Sequence, residues 1–249
     1  MRLKIWVLIF VLPLLFSVAA FAQTVDDLIN KNIQAHGGMD KMKAIKSMRV
    51  TGKIQGQAGI EIPMTVIKKR PDLMRVDVTF QGKNLAQAYD GQMGWQTPFL
   101  GNDPQKMTED DLKDMQEQAD FDGPLVDYKA KGNTVELTGK EDMEGTDTYK
   151  LKVTLKNGNV RYIYLDAENY LELKSSGKMK HEGTEYDGET LFSNFQTVDG
   201  LVIPFSIEGK INGQTGQQIT ITKVETNVSV DDSIFKMPAA TQSQSQPAH

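Results

Sequence analysis

Two runs of alternating apolar and polar residues, joined by Asn157-Gly158, constrain the fold of this chain more than any other stretch. They lie in segment 149–174, YKLKVTLKNGNVRYIYLDAENYLELK. Asn-Gly favours a two-residue type I′ turn, because both residues tolerate a positive φ. Such a turn pairs apolar residues on one face: Leu155 with Val160, Val153 with Tyr162, and Leu151 with Tyr164. The pattern predicts an antiparallel sheet with one buried face and one largely wet face.

The first 22 residues have the pattern of a secretory signal peptide. Arg2 and Lys4 precede an apolar run, and Ala20-Phe21-Ala22 supplies the small residues that signal peptidase recognises. The alternative is an uncleaved membrane anchor, but a spanning helix needs about 20 apolar residues, and Pro13 interrupts this shorter run. We predict export to the periplasm and a mature chain that begins at Gln23.

The composition argues against several classes of protein. The chain has 28 Lys and Arg residues, two of them in the leader, against 33 Asp and Glu residues. Binding to a phosphate backbone needs clustered cations, so we predict no nucleic-acid partner. The chain has no cysteine, and therefore neither a disulfide nor the residue on which lipoproteins are lipidated. We expect a soluble mature protein with one domain over 23–238 and a disordered polar tail over 239–249.

The order of the patterns predicts a sheet that is interrupted by helices. The predicted helices span 25–35, 41–46, with Asp40 as its cap, and 108–119, with Thr108 as its cap. The predicted strands besides the central hairpin span 48–55, 60–69, 73–80, 84–89, 134–137, 171–182, 184–195, 201–208 and 217–225. Pro63 lacks a backbone donor, so we expect it at an edge or a bulge. A short closing helix is expected within 229–237.

No motif of a known catalytic site is present. The histidines, His36, His181 and His249, have no spacing relation to one another, and zinc-protease, nucleophile-elbow and P-loop motifs are missing. His36 ends the first predicted helix, where a role at the helix terminus is more common than metal binding. Adjacent carboxylates such as Asp231-Asp232 are usually solvated charges or helix caps. We predict that the protein is not an enzyme and uses no cofactor or metal.

Methionine is abundant in this chain. Eleven of the 12 methionines lie beyond the initiator residue, and a flexible thioether adapts to varied apolar guests. This composition suits a cavity for acyl chains, and it suits an ordinary hydrophobic core as well. Trp95 and Phe99 flank a short loop segment, where Trp95 is expected either at a cavity rim or as a core anchor.

Six segments spread over 25–238 form a series. They are AHGGMDKMKAIKSMRVTG, AYDGQMGWQTPF, DGPLVDYKAKG, the hairpin segment above, VDGLVIPFSIE and DDSIFKMP. In this order and spacing they resemble the periplasmic lipoprotein-sorting-like proteins of the LolA/LolB superfamily. The resemblance implies a mainly β fold, a half-open antiparallel β-barrel with helices over its concave face. It also implies an apolar cavity between sheet and helices, which in characterised members takes lipid or the acyl groups of lipoproteins.

The resemblance supports two hypotheses about function. The first is a soluble periplasmic carrier whose partners are the acyl chains of lipid or lipoprotein, and envelope membrane proteins. The alternative is a sensor or interaction module that transports nothing and binds a protein partner, as sigma-factor regulators with this fold do. The best-studied carriers rely on a basic residue on an early strand, and none of Arg49, Arg70 and Arg75 is assigned that role. The residues expected to line the cavity are Met64, Val76, Val78, Trp95, Met115, Tyr162 and Tyr164.

Overall fold

The computed structural model describes residues 23–56, 59–100, 103–181 and 183–239. The leader and the tail from residue 240 onward lie outside these ranges, so cleavage after Ala22 and disorder of the tail stay predictions. The helices are α1 (Val25–Ala35), α2 (Met39–Ala44), α3 (Glu109–Ala119) and a short 3-10 helix (Asp232–Phe235).

The strands of the described residues form one antiparallel sheet. They are β1 (Ser47–Gly56), β2 (Glu61–Lys69), β3 (Leu73–Phe80), β4 (Lys83–Tyr89), β5 (Gly94–Gln96), β6 (Gln105–Lys106), β7 (Thr134–Met143), β8 (Thr146–Thr154), β9 (Val160–Asp166), β10 (Glu172–His181), β11 (Thr184–Val198), β12 (Leu201–Ile211) and β13 (Gln214–Thr226). Their order in the sheet is β6-β5-β4-β3-β2-β1-β13-β12-β11-β10-β9-β8-β7. Two meanders are thus joined by the β1–β13 pair. Because β6 and β7 are free edges, the sheet is a half-open barrel, and the predicted fold class is confirmed.

Helix α1 covers the half of the sheet that contains the central hairpin. A capping box fixes its start, since the Thr24 hydroxyl accepts from the Asp27 backbone N–H and the Asp27 carboxylate accepts from the Thr24 backbone N–H. The apolar stripe of α1 packs on β8 and β9 in a cluster whose members are at most 5% exposed. These members are Leu28, Ile29, Ile33, Leu125, Val126, Leu151, Val153, Ile163 and Leu165. The helix predicted over 25–35 is confirmed, with the same bounds.

Helix α3 bridges the two halves of the sheet. Toward β3 and β4, Met115 packs with Met74 and Tyr89 in a second buried cluster. Toward β9, the Arg161 guanidinium donates a 2.7 Å hydrogen bond to Glu117 of α3. Residues that alternate along a strand face opposite sides, and Arg161 shares a face with Ile163. Both α1 and α3 therefore lie on the same, concave face.

The C-terminal chain covers part of the opposite, convex face. The Trp95 indole N–H donates to the Phe235 carbonyl at 2.8 Å, and an Arg75 guanidinium N–H donates to the Ile234 carbonyl at 2.7 Å. The side chains of Trp95 and Phe235 are both essentially buried. The 3-10 helix thus closes a small convex-side core over β3, β4 and β5.

The β8–β9 hairpin differs from its prediction by one residue. Leu155 donates its backbone N–H to the Asn159 carbonyl at 2.8 Å and accepts from the Gly158 N–H at 2.9 Å, so the loop has three residues. Gly158 has a φ of +90°, whereas Asn157 has no positive φ. The pairs become Leu151–Ile163, Lys152–Tyr162, Val153–Arg161 and Lys150–Tyr164. The predicted register is wrong, because one added loop residue moves every side chain of one strand to the other face.

Two local predictions are wrong. Helix α2 begins at Met39 after Gly38, without a side-chain cap, so Asp40 lies in the first turn and is not the predicted cap. Pro63 pairs with Lys53 of β1, and the pairing of β2 with β3 ends at Met64. Pro63 thus lies in an interior strand and not at a sheet edge or a bulge, so the prediction is wrong; because the pairing with β3 ends at Met64, its missing donor removes no ladder bond to β3.

Candidate functional site

Apolar side chains line the concave face of the central strands beyond the cluster under α1, and two of them, Val66 and Val76, pack against the cluster under α3. Cross-strand pairing joins Val76 to Val66, Val66 to Val50, Val50 to Val224, and Ile207 to Phe192. These six residues define the central trough. Each is half-buried, whereas the side chains under α1 are at most 5% exposed. The trough is therefore covered less completely than the core under α1.

The geometry of the trough suits an extended apolar guest. Its floor comes from six strands, and α3 spans its open side from β3 and β4 to β9 and β10. Concave, mostly apolar surfaces with a few polar groups are the usual setting for small-molecule binding. On the β9 side, the contact that holds α3 is polar: Asn157, Asn159 and Arg161 all donate to Glu117. On the side of β3 and β4 the contact is apolar and is made by Met115. Helix α3 is therefore held by polar contacts at one side of the trough and by apolar packing at the other.

Four of the residues predicted to line the cavity lie on the concave side. Met64 pairs with Val78, and Val76 follows by alternation on the same face of β3. Met64 is buried, while Val76 and Val78 are half-buried. Met115 projects from α3 into the buried cluster with Met74 and is 3% exposed. Met115 is therefore a packing residue between α3 and the sheet, and Val76 and Val78 are the better candidates for guest contact.

The other three predicted lining residues lie on the convex face. Tyr164 stands between Ile163 and Leu165, whose side chains pack under α1, so its ring points the other way. There the ammonium groups of Lys150 and Lys174 lie 5.1 and 4.2 Å from its ring centroid. The placement of Tyr162 and Tyr164 in the cavity is wrong, and the shifted hairpin register is the cause.

Of the two positions expected for Trp95, the structure shows the core anchor, so its assignment to the cavity lining is wrong. Trp95 pairs with Ala88 and is buried against Phe235 on the convex side, which makes it a core anchor and not a cavity rim. Its predicted rim partner Phe99 is 59% exposed, and its ring lies 5.9 Å from that of Phe80. Phe80 follows Val76 and Val78 in alternation, so Phe99 does stand at one end of the concave face.

Lys68 is a site residue that the sequence prediction missed. It continues the alternation of Met64 and Val66 on β2, and its cross-strand neighbours are Met48 and Met74. It therefore lies on the concave face, among apolar side chains. Alternation extended by one more step in segment 61–69 was the signal that could have found it.

The charge of Lys68 is poorly compensated. The residue is half-buried and makes no ion pair among the described residues. Desolvation lowers its pKa to about 8, and the nearby carboxylates Asp120 and Asp122 oppose this only in part. Asp120 already pairs with Lys131, and Asp122 with Arg70 and Lys43.

Glu172 is a second unexpected ionisable group. It opens β10 in register with Leu165, which belongs to the cluster under α1. Desolvation raises the pKa of Glu172 to about 7, and no hydrogen bond or ion pair to it is formed within the described ranges. At neutral pH this carboxyl group is therefore divided between its acid and its anion.

Other features bear on what the site can do. No helix in the described part of the chain is long and apolar enough to cross a membrane. Among those residues, no group of three or more His, Asp or Glu side chains is placed to hold a metal ion. His36 is the C-terminal cap residue of α1, and its ring Nδ1 lies 2.9 Å from the Val202 carbonyl oxygen. Burial lowers the pKa of His36, which fits a packed structural histidine at the helix end.

Solved structures of low sequence identity share this fold. A DUF1329 family protein from Desulfovibrio piger matches 85% of this chain and 97% of its own, at 13% identity and a TM-score of 0.59. A LolA superfamily protein from Nitrosomonas europaea matches 86% and 98%, at 15% identity and a TM-score of 0.57. A domain from Vibrio parahaemolyticus described as an outer membrane lipoprotein-sorting protein matches 83% and 97%, at 10% identity and a TM-score of 0.52.

These similarities bear on the fold. The resemblance to the LolA superfamily that the sequence segments indicated is confirmed at the level of structure. No family model matches the sequence, and no curated protein matches it. At 10 to 15% identity the neighbours establish the architecture, and function has to be argued from the residues of this chain.

Proposed function

We propose that this protein is a periplasmic carrier that binds acyl chains of lipid or lipoprotein in the central trough. The observation that supports the proposal most is the burial contrast on one face. Apolar side chains from six strands stay half-buried in the trough, while those beneath α1 are sealed. A concave apolar surface that is covered incompletely is a common place for a ligand to bind.

Burial of an acyl chain in the trough would supply enough free energy for binding. Burying one CH₂ group contributes about 0.8 kcal/mol, so a chain of about ten carbons gains several kcal/mol even after the cost of ordering it. Entry requires that α3 move away from one side of the trough. Opening on the β9 side exposes Glu117 and Arg161 together, and water can hydrate both groups, whereas opening on the other side exposes the apolar Met115 side chain; we therefore infer that α3 opens from the β9 side.

Binding of a fluorescent fatty acyl probe tests the proposal. Val50 lies in the middle of the trough, and Val50→Trp should fill it and weaken saturable probe binding by about tenfold. The matched control is Thr51→Trp, because Thr51 is the next residue of β1 and faces the convex side. The control should bind the probe like the wild type, and circular dichroism should show folded sheet in both variants.

The outcomes separate the carrier from its alternative. Equal binding by both variants would place the guest outside the trough. Lipid-stripped, refolded wild-type protein without saturable binding would count against a carrier and favour a sensor that uses this scaffold to bind a protein. The periplasmic location has its own test, since the intact mass of the exported protein should correspond to a chain starting at Gln23. A retained leader would contradict it.

A further inference from the structure

Lys68 stands at the boundary between the central trough and a charged layer. On one side, Val66 lies two residues away along β2 and belongs to the trough, about 7 Å from Lys68 along the strand. On the other side lie Asp120, directly after α3, and Asp122. One end of the apolar face thus carries the Lys68 ammonium group on its floor.

The carboxylates near Lys68 are already engaged elsewhere. Asp120 is 2.6 Å from the Lys131 ammonium, which it contacts with both oxygens. Asp122 pairs with the guanidinium of Arg70 at 2.5 Å and also with Lys43. Within the described residues, neither carboxylate forms an ion pair with Lys68. The fold therefore leaves this cation without a counter-ion of its own.

An ordinary structural role explains this arrangement poorly. A lysine on an apolar face usually extends its ammonium to water or to a carboxylate partner. Lys68 forms no ion pair among the described residues, and a methionine in its place would match Met48 and Met74 across the strands. An anion placed beside a desolvated cation stabilises its charged form, and a bound ligand is one source of such an anion.

We propose that Lys68 binds the anionic headgroup, phosphate or carboxylate, of an amphiphile whose acyl chain lies along the central trough. The inference rests on the proposed carrier function and adds the headgroup chemistry. The headgroup meets Lys68 at the α3 C-terminal end, and the chain runs past Val66 toward Val50. The preferred cargo is accordingly anionic at one end and apolar along its length.

Two lipids that differ in one phosphate test the assignment. Calorimetric titration compares a lysophosphatidic acid with a twelve-carbon chain against the monoacylglycerol with the same chain. The wild type should bind the phosphate ester at least tenfold more tightly at pH 7. Lys68→Met should abolish this preference and leave monoacylglycerol affinity within about twofold. The control Lys53→Met removes the same charge from the convex face, where Lys53 pairs with Glu61, and should keep the preference.

The pH dependence supplies a test on the wild type, independent of whether Lys68→Met folds. The charged groups that face Lys68 are Asp120, Asp122 and Lys131. As pH rises from 7 to 10, Lys68 loses its proton and the preference for the phosphate ester should fall. Lys68→Arg should keep the preference at pH 10, because a guanidinium remains protonated there.

Each outcome points to one conclusion. If neither lipid binds the wild type, the carrier function itself fails. If both lipids bind equally, the carrier function stands and the role of Lys68 is overturned. Inorganic phosphate that competes with the lysophosphatidic acid at equal concentration would show a site for a free anion, which overturns the assignment to an amphiphile. If Lys68→Met still prefers lysophosphatidic acid over the monoacylglycerol, the role of Lys68 in headgroup binding is overturned.

Discussion

The guanidinium of Arg70 donates two hydrogen bonds to the carboxylate of Asp122, of 2.6 and 2.5 Å. The same group donates to the carbonyls of Met42 and Ile45, at 2.8 and 2.7 Å. One side chain at the end of β2 thereby ties the end of α2 to the segment that follows α3. Bidentate, partly buried pairs of this kind are the strong ones, and this pair fixes the end of α3 that lies near Lys68.

Removal of the Asp122 charge should destabilise the fold markedly. Asp122→Asn leaves Arg70 half-buried without its partner, and we expect a loss of about 3 kcal/mol in the free energy of unfolding. Asp127→Asn is the matched control, since Asp127 binds the same Lys43 but is half exposed, and it should cost less than about 1 kcal/mol. Urea denaturation of the two variants measures the difference. Equal effects would show that the Arg70 pair is not the anchor.

This effect should depend on pH in a defined direction. Burial acts to raise the pKa of Asp122, but hydrogen bonds from Arg70 and Lys43 outweigh it and lower the pKa to about 2. A depressed carboxyl pKa contributes stability above the unfolded value, near 4, and that contribution is lost as pH falls toward 2. The difference between wild type and Asp122→Asn should therefore be full at pH 7 and shrink below pH 4.

Glu172 should have the opposite pH dependence. Because its folded pKa is raised to about 7, its ionisation costs stability as pH rises from about 4.5 to 7, and the whole cost is present above that range. Glu172→Gln cannot ionise and should stabilise the protein at pH 8 by about 2 kcal/mol, with no gain at pH 4. The exposed Glu136→Gln should change neither value by more than about 0.5 kcal/mol. A gain for Glu172→Gln that is equal at both pH values would refute the buried-charge explanation.

Gly37 permits the close approach of α1 to the β11–β12 turn. Its φ is +114°, and a Cβ there would lie inside contact distance of the Gly200 carbonyl oxygen. Gly82 also has a positive φ, +75°, but its Cβ would meet no atom within 4 Å. We expect Gly82→Ala to cost about 1 kcal/mol from backbone strain alone, and Gly37→Ala to cost about 3 kcal/mol or more. Thermal unfolding of both variants checks this, and similar losses would mean that α1 can shift without cost.

Substitutions at Gly158 test the three-residue loop of the β8–β9 hairpin. Gly158 is the left-handed residue of this loop, and nothing lies near its Cβ position. Gly158→Val should destabilise the protein by more than about 1 kcal/mol, because a β-branched residue resists positive φ. Gly158→Asn should be milder, since asparagine tolerates this conformation. Equal denaturation midpoints for wild type and Gly158→Val would contradict the assigned loop.

Most of the fold could be predicted because local signals agreed with the global arrangement. Capping residues and apolar stripes located α1 and α3, and alternation located the long strands. The hairpin register could not be derived, since Asn-Gly serves both two-residue and three-residue loops and the choice depends on tertiary packing. Here α3 contributes to that choice, because Glu117 accepts hydrogen bonds from Asn157 and Asn159 in the loop.

The site was less predictable than the fold. Val76 and Val78 lie on the concave face, as alternation within one strand predicts, and their contact with a guest stays a prediction. Tyr164 was misplaced because an error of one residue in register reverses a face. The burial of Trp95 against Phe235 joins residues 140 positions apart, a contact that no local pattern encodes. Alternation along β2 could have placed Lys68 on the concave face, but its lack of an ion pair among the described residues follows only from the pairing of Asp120 and Asp122 with other cations.

Native mass spectrometry of the protein purified from a periplasm tests the carrier account most directly. The account predicts a complex heavier than the mature chain by the mass of an acyl lipid, which organic extraction removes and added lipid restores. Val50→Trp should lose this extra mass, whereas Thr51→Trp should keep it. Wild-type protein that shows only the mass of the chain, both as purified and after incubation with lysophosphatidic acid, would contradict the account.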